Sequence, residues 1–294
     1  MTAVPTPTVI DAPTDMRSWS EDVRRAGRSI ALVPTMGALH LGHLALIETA
    51  RSVADVVVVS IFVNPLQFGE PADFAGYPRP IDDDLIACAD AGVDAVYAPT
   101  ATAMYPEGFD THVVPGVLAA AMEGRSRPGH FEGVATVVTK LLTVVGPDIA
   151  VFGEKDYQQL AIIRRMVTDL DIAVEIAGVP TVREPDGLAL SSRNRRLTTQ
   201  QRQAATVIPR AIDEARRIAR RPSASIGDVL AAAEAVVAAE PTASLDYVCV
   251  FDADTLAVVD ELRQSNRVPD RYRVAIAAQF GDIRLIDNAD LFAS

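Results

Sequence analysis

The chain reads as an α/β protein with a parallel sheet covered by helices on both faces, joined to a smaller C-terminal α+β domain. Three observations predict this. Short β-branched runs alternate with helical patterns through the first 180 residues, the signature of strand–helix–strand units. The stretch Thr181–Arg196 is polar and turn-rich, and beyond it the order changes to two helices and then three strand-like runs. The balance of 49% hydrophobic and 22% charged residues suits a chain with a sizeable core. The expected boundaries are 1–181 and 182–294.

The elements follow in order. Met1–Pro13 is rich in Thr and Pro, lacks the basic-then-apolar layout of a signal peptide, and reads as a loose tail. Ile30–Val33 is a buried strand, Pro34-Thr35-Met36-Gly37 a turn, and a helix runs from about Leu41 to Ser52. Asp55–Val63, rich in valine, is the second strand. Asp82–Ala91 is a helix stopped by Gly92; its acidic start Asp82-Asp-Asp84 could touch magnesium, but an exposed anionic helix N-terminus is the better reading. Val93–Ala98 is the third strand. Gly133–Val145 is a helix ended by Gly146-Pro147, Ile149–Phe152 the fourth strand, Tyr157–Leu170 a helix and Ile172–Val179 the fifth strand. Thr198-Thr-Gln-Gln201 reads as a capping box opening a long helix to about Arg220, bent at Pro209. A helix over Ser225–Ala239 follows. Leu245–Phe251, Tyr272–Phe280 and Ile283–Ile286 close the chain as strands.

Composition narrows the function. A net charge of −12 argues against general nucleic-acid binding, though a local cluster on an acidic protein can still hold phosphates. No apolar run reaches the ~20 residues needed to span a bilayer. Cys88 and Cys249 are too few for a disulfide framework, which makes a reducing cytoplasm the expected compartment. Of 27 basic residues, 25 are Arg. The exceptions are Lys140 and Lys155, the latter inside Gly153-Glu-Lys-Asp156, where a compact ammonium differs from a guanidinium in geometry and hydration.

The most informative segment is His40-Leu-Gly-His43. It falls at a helix entrance, where two histidines three apart share a face and unpaired N–H groups favour anions. Gly42 lets a ligand approach the backbone. Metal ligation by this pair would need further ligands, and the chain has only His112 and His130 besides. Three more clusters follow strands or lie between the halves. In Val63-Asn-Pro-Leu-Gln-Phe68, Asn64 and Gln67 can orient a small polar substrate, while Asn-Pro also starts a turn. In Gly153-Glu-Lys-Asp-Tyr-Gln-Gln159, Lys155 can meet a phosphate, Asp156 can cap the next helix and Gln159 lies one turn inside. Ser191-Ser-Arg-Asn194 suits a phosphate clamp on a mobile loop, or a solvated linker in which Arg195 and Arg196 are exposed. Arg125-Ser-Arg-Pro-Gly-His-Phe-Glu-Gly133 precedes a helix on which Val134, Val137 and Val138 share one face, as core or as pocket wall.

Taken together and in this order, these blocks resemble the pantoate–β-alanine ligase family. The resemblance spans Val33 to Arg196 and continues more weakly to the C-terminus. The H-x-G-H element alone marks a wider superfamily of adenylyl- and nucleotidyl-transferring enzymes; the later blocks make the resemblance specific. It implies a Rossmann-like N-terminal domain hinged near Thr181 to a smaller domain that closes over the site, usually in a homodimer. It implies a two-step reaction. Pantoate attacks the α-phosphorus of MgATP, giving pantoyl adenylate, and the amine of β-alanine then displaces AMP. Mg²⁺ is carried by ATP, with no dedicated protein site. Carried over residue by residue, the ATP contacts are Pro34, Met36, Gly37, Ala38, Leu39, His40, Leu41, Gly42, His43, Gly153, Glu154, Lys155, Asp156, Val182, Leu190, Ser191, Ser192 and Arg193. His40, His43, Lys155 and Arg193 bear on the phosphates, with His43 the proton donor. Gln67, Gln159, Asn64 and the three valines fall to pantoate and β-alanine. Leu190 stands where the family often has Met, and Leu41 where Glu or Gln is common. The rival reading is an H-x-G-H nucleotidyltransferase acting on a phosphorylated acceptor; the neutral pair Gln67 and Gln159 suits a small hydroxy acid better.

Overall fold

The computed structural model describes residues 6–69, 71–259 and 272–292. Its elements run β1 (Thr8–Ile10), α1 (Pro13–Arg25), β2 (Ile30–Thr35), α2 (Leu41–Val53), β3 (Val56–Ile61), α3 (Pro71–Ala75), α4 (Ile81–Asp90), β4 (Ala95–Tyr97), α5 (Ala101–Met104), α6 (Glu123–Ser126), α7 (His130–Val145), β5 (Ile149–Gly153), α8 (Tyr157–Asp169) and β6 (Glu175–Val179). Then come α9 (Thr199–Ala204), α10 (Val207–Ala219), α11 (Ile226–Ala238), β7 (Ser244–Asp252), β8 (Tyr272–Phe280) and β9 (Ile283–Asp290). The described chain forms two compact units. The first comprises the described residues up to Ala119, with Glu123–Glu154 and Ile162–Pro180. The second comprises Ala120–Met122, Lys155–Ala161 and the described residues from Thr181 onward.

The first unit is built on a six-stranded sheet in the order β1-β4-β3-β2-β5-β6, all pairs parallel. Its inner strands β2, β3 and β5 are short and largely apolar because both faces are covered there. On one face, Leu46, Ile47 and Ala50 of α2 pack with Ala31, Val33, Val57, Val59 and Val151 in one apolar cluster. Ile30, Leu32 and Val58 alternate with these in sequence and are also fully buried, so the other face is covered too. There α1 and α7 contact β2 and each other. The strand order reverses between β2 and β5, and in open parallel sheets ligands bind beyond the carboxyl ends of the strands at such a reversal.

The second unit packs α10 and α11 onto the antiparallel sheet β7-β8-β9. Alternate residues of β8, Val274, Ile276, Ala278 and Phe280, join Val207, Ile208, Ile212 and Val229 in one core cluster.

Four expectations need correction. The N-terminal segment is no loose tail over its described residues: Thr8–Ile10 pair with Ala95–Tyr97 at the sheet edge and Pro13 opens α1. The first five residues lie outside the described residues. Pro34 and Thr35 belong to β2, and the turn is displaced to Met36–Leu39. Pro34 is tolerated because the pairing with β5 covers only Ala31 and Leu32, so the strand there has one neighbour. The long helix expected from Thr198 to Arg220 is two helices that break at Ala205–Thr206, ahead of Pro209. Pro209 then sits in the first turn of α10, where its missing N–H needs no helical partner. Finally, β9 runs to Asp290, four residues past the predicted end at Ile286. The added residues Asp287-Asn-Ala-Asp290 look like a turn by composition, but the ladder with β8 continues through them.

Candidate active site

The turn that follows β2 is held by the side chains of Thr35, the last residue of β2, and Asp84 of α4. Thr35 Oγ1 donates to the Ser60 carbonyl (2.7 Å) and accepts from the Gly37 N–H (3.1 Å). Gly37 and Ala38 then take successive left-handed conformations, with φ of 79° and 52°. For an alanine this costs roughly 1–2 kcal/mol. The carboxylate of Asp84 offsets it, with Oδ2 accepting from Ala38 N (2.8 Å) and Oδ1 from Leu39 N (2.7 Å). Bonds to a charged acceptor contribute about 1.5–3 kcal/mol each, so the clamp outweighs the strain. A Cβ on Gly37 would lie 2.8 Å from Asp84 Oδ2 and 3.1 Å from Ile61 Cγ2, so the position admits glycine only. This corrects the reading of Asp82-Asp-Asp84 as an exposed helix end. Asp82 and Asp83 are exposed, but Asp84 is 2% exposed. The signal was available: Asp84 lies four residues before Cys88, itself fully buried, on the inward face of α4.

The turn delivers the two histidines into a reciprocal cap. Nδ1 of His40 accepts from Gly42 N (3.1 Å), and Nδ1 of His43 accepts from His40 N (3.3 Å). A ring nitrogen that accepts carries no proton, so in each neutral imidazole the N–H is at Nε2. The rings lie against each other with centroids 4.1 Å apart. Two Nε2 donors thus sit side by side at the N-terminus of α2, whose dipole already favours an anion. Leu41 between them is 67% exposed.

Beyond β3 the chain enters a 3-10 turn, Pro65–Gln67. Asn64, 1% exposed, holds it from inside. Its Oδ1 accepts from Leu66 N (3.3 Å) and the Tyr105 hydroxyl (2.8 Å), and its Nδ2 donates to Gln67 Oε1 (3.0 Å) and the Gly133 carbonyl (3.0 Å). Each polar atom of the Asn64 amide makes two such bonds, so it fixes Gln67 in place. Burial raises the Tyr105 phenol above its ordinary value, keeping it a donor. Gln67 Nε2 reaches Met36 Sδ (3.1 Å), and the Gln67 carbonyl receives His130 Nδ1 (2.9 Å) and Arg127 Nη2 (3.1 Å). Arg127 and His130 therefore turn inward from the Arg125–Gly133 stretch. A Cβ on Gly133 would lie 2.3 Å from the Leu66 carbonyl oxygen, so glycine lets α7 approach the turn. Val134, Val137 and Val138 of α7 are all buried.

The segments bearing His40 and His43, Asn64 and Gln67, and Gly153 and Glu154 therefore follow the carboxyl ends of β2, β3 and β5, three adjacent strands. Glu154–Asp156 forms a 3-10 turn that leads into α8.

In the second unit, Lys155 has a side chain 19% exposed, with Nζ 3.8 Å from Asp156 Oδ1. Gln159 is half-buried in the first turn of α8, next to buried Gln158, whose Nε2 donates to the Ala121 carbonyl. The segment from Val182 to Arg196 is not the loose linker that its composition suggests. Leu190 N bonds the Val182 carbonyl, Glu184 N the Leu188 carbonyl, and Arg183 bridges Ala189. The guanidinium of Arg183 grips Asp287 through two bonds of 2.6 and 3.0 Å. Burial works against the charge on Arg183, but Asp287 more than offsets it and leaves the guanidinium above its ordinary value. Ser191 caps the 3-10 turn Ser192–Arg196 through Oγ, which accepts from Arg193 N (3.3 Å). Ser192 is buried, Arg193 is half-buried and Arg195 and Arg196 are exposed. Lys155, Ser191, Asn194 and Asp287, with Leu188 and Leu285, line one small cavity of about 10 Å³, at the lower limit for holding a single water. Sequence reasoning singled out neither Tyr105 nor Asp287, and read Asp84 as part of an exposed helix end.

The comparisons with known proteins decide the family. The model of the family described as pantoate-beta-alanine ligase matches residues 8–290. This chain belongs to that family. It is 47% identical over 280 residues to the pantothenate synthetase of Chlorobaculum tepidum, covering 95% of this chain and 97% of the relative. It is 49% identical over 285 residues to that of Mycolicibacterium paratuberculosis, covering 95% and 88%. The crystal structure of pantothenate synthetase from Thermus thermophilus matches with a TM-score of 0.89 at 44% identity, covering 97% of this chain and all of that one. A Francisella tularensis pantoate-beta-alanine ligase, solved in complex with beta-gamma ATP and beta-alanine, matches with a TM-score of 0.79 at 34% identity, covering 98% and 99%. The chain is accordingly a ligase that forms pantothenate, and the parallel sheet with a smaller antiparallel one is the fold of its family. No helix among the described residues is long and apolar enough to cross a membrane.

Proposed function

We propose that this chain joins (R)-pantoate to β-alanine in two steps, with residue roles set by the geometry above. In the first, a pantoate carboxylate oxygen attacks the α-phosphorus of ATP. A P–O bond forms, the bond to the β-phosphate oxygen breaks, and pyrophosphate leaves with the electron pair. In the second, the amine of β-alanine attacks the acyl carbon of pantoyl adenylate. A C–N bond forms, the C–O bond to phosphate breaks, the nitrogen loses a proton, and AMP leaves. A carboxylate is a poor acylating agent, and the adenylate supplies its leaving group.

The observation that carries this reading is the reciprocal histidine cap at the strand-order reversal. It aims two Nε2–H donors from a helix N-terminus, where charge developing on phosphate oxygens is offset by fixed donors. His43 is the proposed proton donor, with His40 beside it. Lys155 meets the phosphates as a point charge, and Ser191, Ser192 and Arg193 bear on the triphosphate. Pro34 and Met36–His43, with Gly153, Glu154, Asp156, Val182 and Leu190, complete the nucleotide contacts. Gln67 and Gln159 hold pantoate, with Gln67 near β-alanine as well. Asn64 acts through Gln67, and Val134, Val137 and Val138 back the pocket. Magnesium belongs to the substrate as MgATP, since phosphate oxygens and water suit its octahedral shell. Among the described residues, no group of three or more His, Cys, Asp or Glu is placed to hold a metal ion. A homodimer and a cytoplasmic location belong to the same proposal; light scattering on the eluting protein checks the dimer.

Product analysis with MgATP and (R)-pantoate, with and without β-alanine, tests the chemistry. ATP–pyrophosphate exchange on pantoate alone, with AMP and pantothenate formed only when all three substrates are present, is expected. Folded protein that shows no pantoate-dependent exchange would overturn the adenylate route and make phosphorylated acceptors the next substrates to try.

A further inference from the structure

Strand β9 carries two adjacent buried polar residues, Asp287 and Asn288, 2% and 5% exposed. Neither lies near the sequence blocks that mark the site. Asn288 Nδ2 donates to the backbone carbonyl of Lys155 (2.9 Å), across 133 residues of sequence. Its Oδ1 accepts from Arg273 Nε (3.0 Å). Arginine can only donate, so the amide orientation is determined: the oxygen faces Arg273 and the nitrogen faces Lys155. Arg273 is itself fixed, with Nη1 2.6 Å from Asp290 Oδ1 and its guanidinium 4.1 Å from the centroid of the Tyr157 ring, two residues after Lys155. Asp287 Oδ1 accepts from Asn288 N (2.8 Å), and the same carboxylate grips Arg183, at the root of the hairpin that leads to Ser191.

We propose that Asp287 and Asn288 form a bracket that sets the Lys155 ammonium and the Ser191–Arg193 turn at a fixed separation for the nucleotide's phosphates, with Asn288 a positioning residue acting through the Lys155 backbone. The shared cavity is the second observation: Lys155, Ser191 and Asp287 line the same space. A strongly hydrated point charge on a flexible stem gives little orientation of its own, so the backbone from which it springs must be held. Burying the three polar side chains Arg273, Asp287 and Asn288 is costly unless each is satisfied; here each has a partner in the network. The inference rests on the phosphate role of Lys155 proposed above.

The test is Asn288→Asp. It keeps the shape and the Arg273 bond but sets a carboxylate oxygen against the Lys155 carbonyl. The expected result is a roughly tenfold loss in kcat/KM for ATP, with the KM for β-alanine unchanged and a lower thermal midpoint in a protein still folded at the assay temperature. Asn288→Ala, which removes the donor without repulsion, should move the same constant in the same direction by less. In a double-mutant cycle, Asn288→Asp added to Lys155→Ala should cost nothing further. Unchanged ATP kinetics in a folded Asn288→Asp variant, or losses that add in the cycle, would overturn the bracket. If Lys155→Ala alone leaves ATP kinetics intact, the role of Lys155 falls and the bracket with it, an outcome separable from the failure of Asn288 by itself.

Discussion

The helix entrance at His40–His43 and the Lys155 segment are both proposed to meet phosphate, and they are built in opposite ways. Bonds spanning two or three residues hold the histidine pair: Gly42 to His40, and His40 to His43. A longer tether is Asp84, 46 residues away from Ala38. The Lys155 segment is held at its backbone by a residue 133 positions later, within a network of Arg273, Asp287 and Arg183. The contrast marks where each site is vulnerable. A locally capped pair loses chemistry when a ring is removed and loses little fold. A long-range bracket loses its geometry when a distant charge is removed.

The sharpest break between the two is expected from His43→Ala. ATP–pyrophosphate exchange should fall by about 10²–10⁴, the range of one acid–base group, while stability measured by urea unfolding falls by only the cost of a weak cap, about 1 kcal/mol. Full exchange in that variant would end the assignment of His43. Arg183→Ala should behave in the reverse way, acting first on stability. It leaves the carboxylate of Asp287 buried without its main partner, for which about 3–5 kcal/mol is the usual range. The lower end is expected because the Arg183 side chain is 30% exposed. Urea unfolding measures it, and an Arg183→Met, Asp287→Leu pair should recover most of the loss; no recovery would mean that the residues act separately.

Asp84→Asn tests the histidine side of the contrast. One acceptor oxygen becomes an NH₂ facing a buried backbone N–H, at a cost of about 1–3 kcal/mol. Because the left-handed Ala38 loses its compensation, exchange activity should fall with stability; a variant that is less stable but fully active would show that the turn holds without the clamp. The smallest effect concerns Cys88, on the same face of α4. Burial, with the Asp84 charge adding to it, pushes this thiol from 9.0 up to about 12. The unfolded chain releases the proton first, so the stability from this group is complete below about pH 9 and declines as pH rises toward 12. Urea midpoints followed from about pH 8 to about pH 10.5 should fall less steeply for Cys88→Ala than for the parent chain; parallel slopes would count against the buried neutral thiol.

What was legible in the sequence was local. Thr198 with Gln201 and Ser225 with Asp228 form the caps that their spacing predicts or suggests, because cap partners lie three residues apart. The inner strands of the parallel sheet show as short apolar runs, since two covered faces demand it. Thr8–Ile10 escaped because three residues carry no periodicity and their strand exists only through pairing with β4. Asp84 looked like one of three acidic residues at a helix start, and only the inward face of α4 distinguishes it from Asp82 and Asp83.

The alternation of strands and helices, the histidine pair at a helix entrance and the family to which the ordered blocks belong could all be read in one dimension, because each rests on a short-range pattern. Three features needed the folded chain: the strand order, the conversion of Asn64 from a substrate-facing amide to a support for Gln67, and the joining of Lys155 to Asp287 and Asn288. Polar side chains carry no mark of whether they will be buried, and a buried amide or carboxylate must find its partners wherever the packed chain brings them.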